Sequence, residues 1–137
     1  ISMDGQPVVK KPLLTANGGD VGSMRWAIDP HLFCHATSDH VFMFSCMPVS
    51  PTETHVYSKW FVHKDAVEGV DYDIESLTQL WTVTNGQDKA LAENNHAGIN
   101  SPGYTPGPYS NDAEMLARRF TDWYCDVSRA YIDAHVK

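Results

Sequence analysis

One carboxylate in this sequence stands where its surroundings predict an apolar side chain. Around WTVTNGQDKALAE, residues 81–93, the positions Ile74, Leu77, Trp81, Thr84, Asp88, Leu91, Asn95 and Ile99 recur at steps of three and four, which puts them on one side of a helix. At about 100° per residue, Asp88 lies roughly 20–40° from Leu77, Trp81 and Thr84, so the pattern turns it inward. An isolated carboxylate facing a protein interior has to be paired, protonated or bound to a cation. Metal ligation is therefore one chemistry open to this position. Asn85-Gly86 precedes it by one turn and weakens a helix there, by about 1 kcal/mol for the glycine, and local rules tend to be broken at functional sites. The same dipeptide could equally end the helix and make Asp88 the solvent-exposed cap of a second one. The pattern leaves both readings open.

The elements that must position this residue are legible by period. From Met24 to Lys64 the chain reads as strands: MRWAI, LFCHATS and HVFMFSCM are aromatic and β-branched runs separated by DPH and SDH. In HVYSKWFVH, residues 55–63, Val56, Ser58, Trp60 and Val62 alternate with a more polar set, and PVSPTE at 48–53 joins this strand to the one before it through a longish loop. The period then lengthens to about 3.6 residues, with Asp71 or Asp73 able to cap the helix that follows. INSPGYTPGPYS interrupts the chain with three prolines and two glycines. A second helix is expected to open on Asn111 as N-cap with Glu114 completing a capping box, and to turn Leu116, Phe120, Trp123, Val127 and Tyr131 inward. Ahead of all this, PVVKKPLL, between the turn signals DG at 4–5 and NGGD at 17–20, reads as an edge hairpin. Strands followed by long helices indicate an α+β fold, an antiparallel sheet packed against a long C-terminal helix.

Bulk properties narrow the function. The 137 residues amount to one domain, and 42% hydrophobic with 20% charged residues is an ordinary globular balance. No apolar run approaches the roughly 20 residues a membrane span requires, and no secretory signal is visible, so a cytoplasmic location is expected. A formal net charge of −7, with no basic stripe, disfavours nucleic acid as a partner. Cys34, Cys46 and Cys125 are odd in number and widely spaced, which argues against a disulfide framework and suggests three packing residues.

Four long stretches, MDGQPVVKKPL, KWFVHKDAVEGVDYD, TNGQDKALAENN and GINSPGYTPGPYS, carry a family likeness. From about Met3 to Tyr131 the chain resembles the C-terminal part of the catalytic domain of Rieske-type non-haem iron oxygenase alpha subunits, most of all the branch that demethylates glycine betaine. The resemblance implies a helix-grip domain, similar to START and Bet v 1 domains and incomplete here, whose Fe(II) sits in a facial triad of two histidines and one carboxylate. Asp88, after TNGQ, matches that carboxylate. Trp81 and Thr84, on the same side, are candidate substrate-binding residues: indole faces attract quaternary ammonium groups, although an inward Trp is more often plain core packing.

The likeness also implies parts that this sequence lacks. A Rieske domain binds its [2Fe–2S] cluster through paired Cys-x-His and Cys-x-x-His motifs, and none occurs among these 137 residues. The two histidine ligands of iron belong to a segment that would precede Ile1. His35 and His40, in HATSDH, imitate the spacing of that pair, but Leu32 stands where the acidic residue belongs and the segment reads as sheet, so pocket-lining or surface roles are expected instead. Where close relatives would carry Gln-Arg ahead of Gly98, this chain has His96-Ala97.

The expectation is thus a C-terminal part of an oxygenase catalytic domain, residues 1–137, with no Rieske domain and no activity by itself. Its parent would receive electrons from a flavin or ferredoxin-type reductase and assemble as a homo-oligomer, a trimer in intact relatives. It would hydroxylate an N-methyl group of a small-molecule substrate, and the resulting hemiaminal would release formaldehyde. Two other classes stay open: a stand-alone helix-grip binder without catalysis, and an interaction module whose exposed half-core is covered by self-association.

Overall fold

The computed structural model describes residues 2–13 and 22–136. Its order is β1 (Met24–Ile28), β2 (Leu32–Ala36), β3 (Val41–Ser50), β4 (Glu53–Phe61), α1 (Ile74–Ile99) and α2 (Met115–His135). The strands form one antiparallel sheet in the order β1-β2-β3-β4. The architecture is the expected α+β one. The chain divides into two compact units, Ile1–His96 with the sheet and most of α1, and Ala97–Lys137 with α2.

Each strand falls where the β-branched and aromatic runs place it. One difference lies between β3 and β4, where the pairing continues to Ser50↔Glu53 and leaves a short turn over Pro51-Thr52 in place of the longish loop. Pro48 is tolerated inside β3 because β2 reaches only as far as Ser45, so the far side of β3 has no strand there to receive an N–H. A register shift between Pro48 and Ser50 accommodates it.

The N-terminal segment forms no hairpin in residues 2–13. Side chains and turns take its backbone groups instead: the N–H groups of Val8 and Val9 donate to Asp39 Oδ2 at 2.8 and 3.1 Å, Lys10 N–H donates to the Asp71 carbonyl and Leu13 N–H to the Ser38 carbonyl. A ladder would leave Asp39, 3% exposed, without these donors. The expected NGGD turn lies outside the described residues.

Between β4 and α1 the chain turns through Gly69, whose φ of +78° suits glycine. Asp71 accepts from Val67 N–H at 2.9 Å and pairs with Lys11 at 3.0 Å. It is Asp73 that caps α1, its Oδ1 accepting the Ser76 N–H at 2.9 Å.

Helix α2 starts four residues later than Asn111. Ser110 and Glu114 close the turn before it: Ser110 Oγ accepts from Ala113 N–H, and Glu114 Oε2 accepts from Ser110 N–H at 2.7 Å. The expected capping box on Asn111 is therefore absent: the N-cap of α2 is Glu114, which makes no side-chain capping bond, and the two bonds of Ser110 close the preceding turn instead. No residue of α2 is buried. Leu116, Phe120, Trp123, Val127 and Tyr131 form the expected apolar side, yet their exposure runs from 37 to 73%, so they are not inward-facing among the described residues.

Candidate functional site

The sheet face that receives α1 is built in transverse rows. His35 pairs with Phe42 and Phe42 with Trp60, while Phe33 pairs with Phe44 and Phe44 with Ser58. Partners in a row project to the same side. Phe42, 3% exposed, is the centre of this face. The Trp81 indole of α1 stacks on it with ring centroids 4.2 Å apart and planes 8° apart, and meets the His35 imidazole edge-on at 5.5 Å. Trp60 adds a tilted contact to Phe42 at 5.1 Å. One turn beyond Trp81, Asn85 Nδ2 donates to Ser58 Oγ on β4 at 3.2 Å.

Helix α1 runs without a break through Asn85-Gly86, which decides between the two readings of that dipeptide. Leu77 is buried, and Thr78, Leu80, Trp81, Thr84 and Asn85 are half-buried. From Gly86 to Ile99 every residue is exposed. Asp88 is therefore corrected from buried to exposed, although it stands eleven residues after Leu77, about 20° around the same side. The physical reason is reach. Periodicity fixes the side of a helix that packs, and the 26-residue helix, about 39 Å long at 1.5 Å per residue, outruns its contacts with the sheet after Asn85. Among the described residues the Asp88 carboxylate makes no hydrogen bond or ion pair.

Trp81 and Thr84 lie together on the packed stretch, and Trp81 has one ring face against Phe42. His35 and His40 have different surroundings. His35 lies beneath Trp81, while His40, 1% exposed, sits in the β2–β3 turn with its Nδ1 3.1 Å from Asp39 Oδ1. Burial, together with the charge of Arg25, holds the His35 imidazole below the usual histidine range. No group of three His, Cys, Asp or Glu side chains among the described residues is disposed to hold a metal ion. By themselves these residues do not fit an iron centre: Asp88 offers one carboxylate and no histidine joins it. The cysteines are free; Cys34 is buried and Cys46 half-buried, and burial raises both thiols, but Cys125 is exposed on α2 and is no packing residue.

The sequence of residues 2–130 matches the family described as ring hydroxylating alpha subunit (catalytic domain). This chain belongs to that family. Glycine betaine monooxygenase oxygenase subunits from Pseudomonas aeruginosa strains UCBPP-PA14 and PAO1 are each 48% identical to it over 126 residues, 92% of this chain and 29% of the relative. The subunit of the same description from Chromohalobacter salexigens is 42% identical over 134 residues, 98% of this chain and 30% of the relative. The ring-hydroxylating alpha-subunit chain described here thus spans about three-tenths of the length of these relatives. No helix among its described residues is long and apolar enough to cross a membrane.

Sequence reasoning named His35 as pocket-lining or surface, and missed two contributors to this face, Phe42 and Asn85. The alternation of β4 did give the shared side of Ser58 and Trp60. Nothing in linear spacing signals that His35 and Trp60 lie two strands apart on one row, because that depends on register.

Proposed function

We propose that this chain is the C-terminal part of the catalytic domain of a Rieske-type oxygenase subunit, and that the intact subunit oxidatively removes an N-methyl group from glycine betaine or a related quaternary amine. The observation that carries the reading is 48% identity over 92% of the chain to oxygenase subunits of glycine betaine monooxygenase. In the intact subunit Asp88 supplies the carboxylate ligand of Fe(II), which activates dioxygen when bound. Its exposure suits a ligand whose partners come from outside the described residues. Trp81 and Thr84, upstream on the same side of α1, belong to the substrate side of the site. The [2Fe–2S] cluster, a reductase of flavin or ferredoxin type and a trimeric assembly complete the proposal. The 137-residue chain alone is inactive.

The test is formaldehyde release. An intact subunit carrying this segment, supplied with its reductase, oxygen and glycine betaine, forms formaldehyde in step with oxygen consumed, and the 137-residue chain forms none. Oxygen uptake and formaldehyde both absent, over a panel of N-methylated amines, would refute the enzymatic reading and favour a binding module.

A further inference from the structure

Trp81, Asn85 and Asp88 follow one another along α1 at steps of four and three, so they share one side of the helix. Their surroundings differ. Trp81 is stacked on Phe42, Asn85 Nδ2 donates to Ser58 Oγ of β4 at 3.2 Å, and Asp88 is exposed, as is every residue from Gly86 to Ile99. Asn85 thus stands on the last packed turn, just ahead of the carboxylate. Its bond is set among aromatic side chains, since Ser58 pairs with Phe44 on β3, next to the row of Phe42 and Trp60. Two other polar atoms of this face, His35 Nε2 and Trp60 Nε1, are buried with no hydrogen-bond partner among the described residues. Asn85 and Ser58 do find each other. A polar pair among apolar contacts fixes register, because any slide of the helix breaks the bond and leaves both groups unmet.

We propose that Asn85 is a positioning residue, whose hydrogen bond to Ser58 sets where α1 carries the Asp88 carboxylate relative to the sheet. That the carboxylate ligates iron rests on the function proposed above; the tether and its partner are new. The effect is one of leverage. Asp88 lies about 4.5 Å along the helix axis from Asn85 and about 10.5 Å from Trp81, at 1.5 Å per residue. With the tether made, a tilt of about 5° pivoting at Asn85 moves position 88 by about 0.4 Å; without it, the same tilt pivoting at the Trp81–Phe42 stack moves it by about 0.9 Å. A metal ligand has to be held within about 0.5 Å, so only the tethered helix keeps the carboxylate in place. Gly86, in the same turn, weakens the helix there and has nothing within 4 Å of an added Cβ to brace it. A side-chain anchor at Asn85 offsets that weakness.

The test uses the intact subunit carrying this segment, purified anaerobically and freed of mononuclear iron, and reads its affinity for added Fe(II) with the cluster spectrum as control. Asn85→Ala and Ser58→Ala each weaken Fe(II) at least about tenfold, the loss typical when a group that orients a ligand is removed. The double variant is no weaker than either single one, because both remove the same bond, and Ser58→Thr, which keeps the hydroxyl, binds as wild type. In the 137-residue chain without metal, the two single variants shrink the backbone N–H dipolar couplings of residues 86–91 in a weakly aligning medium, while those of residues 74–81 hold. Wild-type Fe(II) affinity in Asn85→Ala, or losses that add in the double variant, overturns the proposal; so do dipolar couplings that neither variant alters. Should Asp88→Asn bind iron as wild type, the ligand reading fails and this role with it; iron lost in Asp88→Asn but kept in Asn85→Ala removes only the tether.

Discussion

Two aspartates of the same unit lead opposite lives. Asp39 is 3% exposed and gathers the N–H groups of Val8 and Val9, the Thr37 hydroxyl at 2.8 Å and His40 Nδ1 at 3.1 Å. Asp88 is exposed and has no partner among the described residues. Burial acts to raise the Asp39 pKa, but the hydrogen bonds from His40, Thr37 and Val8 outweigh it and hold the carboxyl well below the usual range. The difference separates a carboxylate that organises the fold from one that the described residues leave unpartnered. Only the first is needed for the described structure to stand.

The largest effect is expected at Asp39. Replacing it by Ala leaves buried donors unmet and should cost about 3 kcal/mol, measured by urea unfolding of the 137-residue chain. Its folded pKa is depressed, so its contribution is fully present above the unfolded value of about 4 and is lost as pH falls below that toward the folded value. Wild-type stability should therefore drop under acid below about pH 4, and Asp39→Ala should show less of that drop. Next in size is Trp81→Ala, which removes the stack on Phe42 and the edge contact with His35. It should cost about 2–3 kcal/mol, somewhat below the range for a fully buried tryptophan. Gly86→Ala should go the other way. Gly86 is inside α1 with nothing within 4 Å of an added Cβ, so alanine should stabilise by about 0.5–1 kcal/mol. Smallest of all, Asp88→Asn should leave the urea midpoint of the chain where it is. A midpoint shift as large as that of Asp39→Ala would erase the contrast between the two residues.

The sequence carried what depends on local pattern. Four strands, an aspartate cap at Asp71 or Asp73 and both helices follow from alternation, from a short carboxylate before the first turn, and from three-four spacing; the choice of Asp73 came from the structure. What it did not carry depends on reach and register. Leu77 and Asp88 share a side of α1, yet only Leu77 is buried, because contact length is a tertiary quantity that no periodicity encodes. Asp39 read as turn punctuation, and its role appears only once Val8 and Val9 arrive from thirty and more residues away. The apolar side of α2 was legible, but its burial was assumed from amphipathicity. His35 illustrates the same limit: the residue was visible, while its Trp81 neighbour and its unmet nitrogen were not.

Asp88, exposed in this chain, is proposed above as the carboxylate ligand of iron in the intact subunit. Iron content of that subunit, purified anaerobically as wild type and as Asp88→Asn and corrected for the [2Fe–2S] cluster, tests it most directly. Close to one mononuclear iron per wild-type subunit is expected, and at least about a tenfold loss of iron affinity in the variant, with the cluster spectrum unchanged. Equal mononuclear iron in both proteins would contradict it.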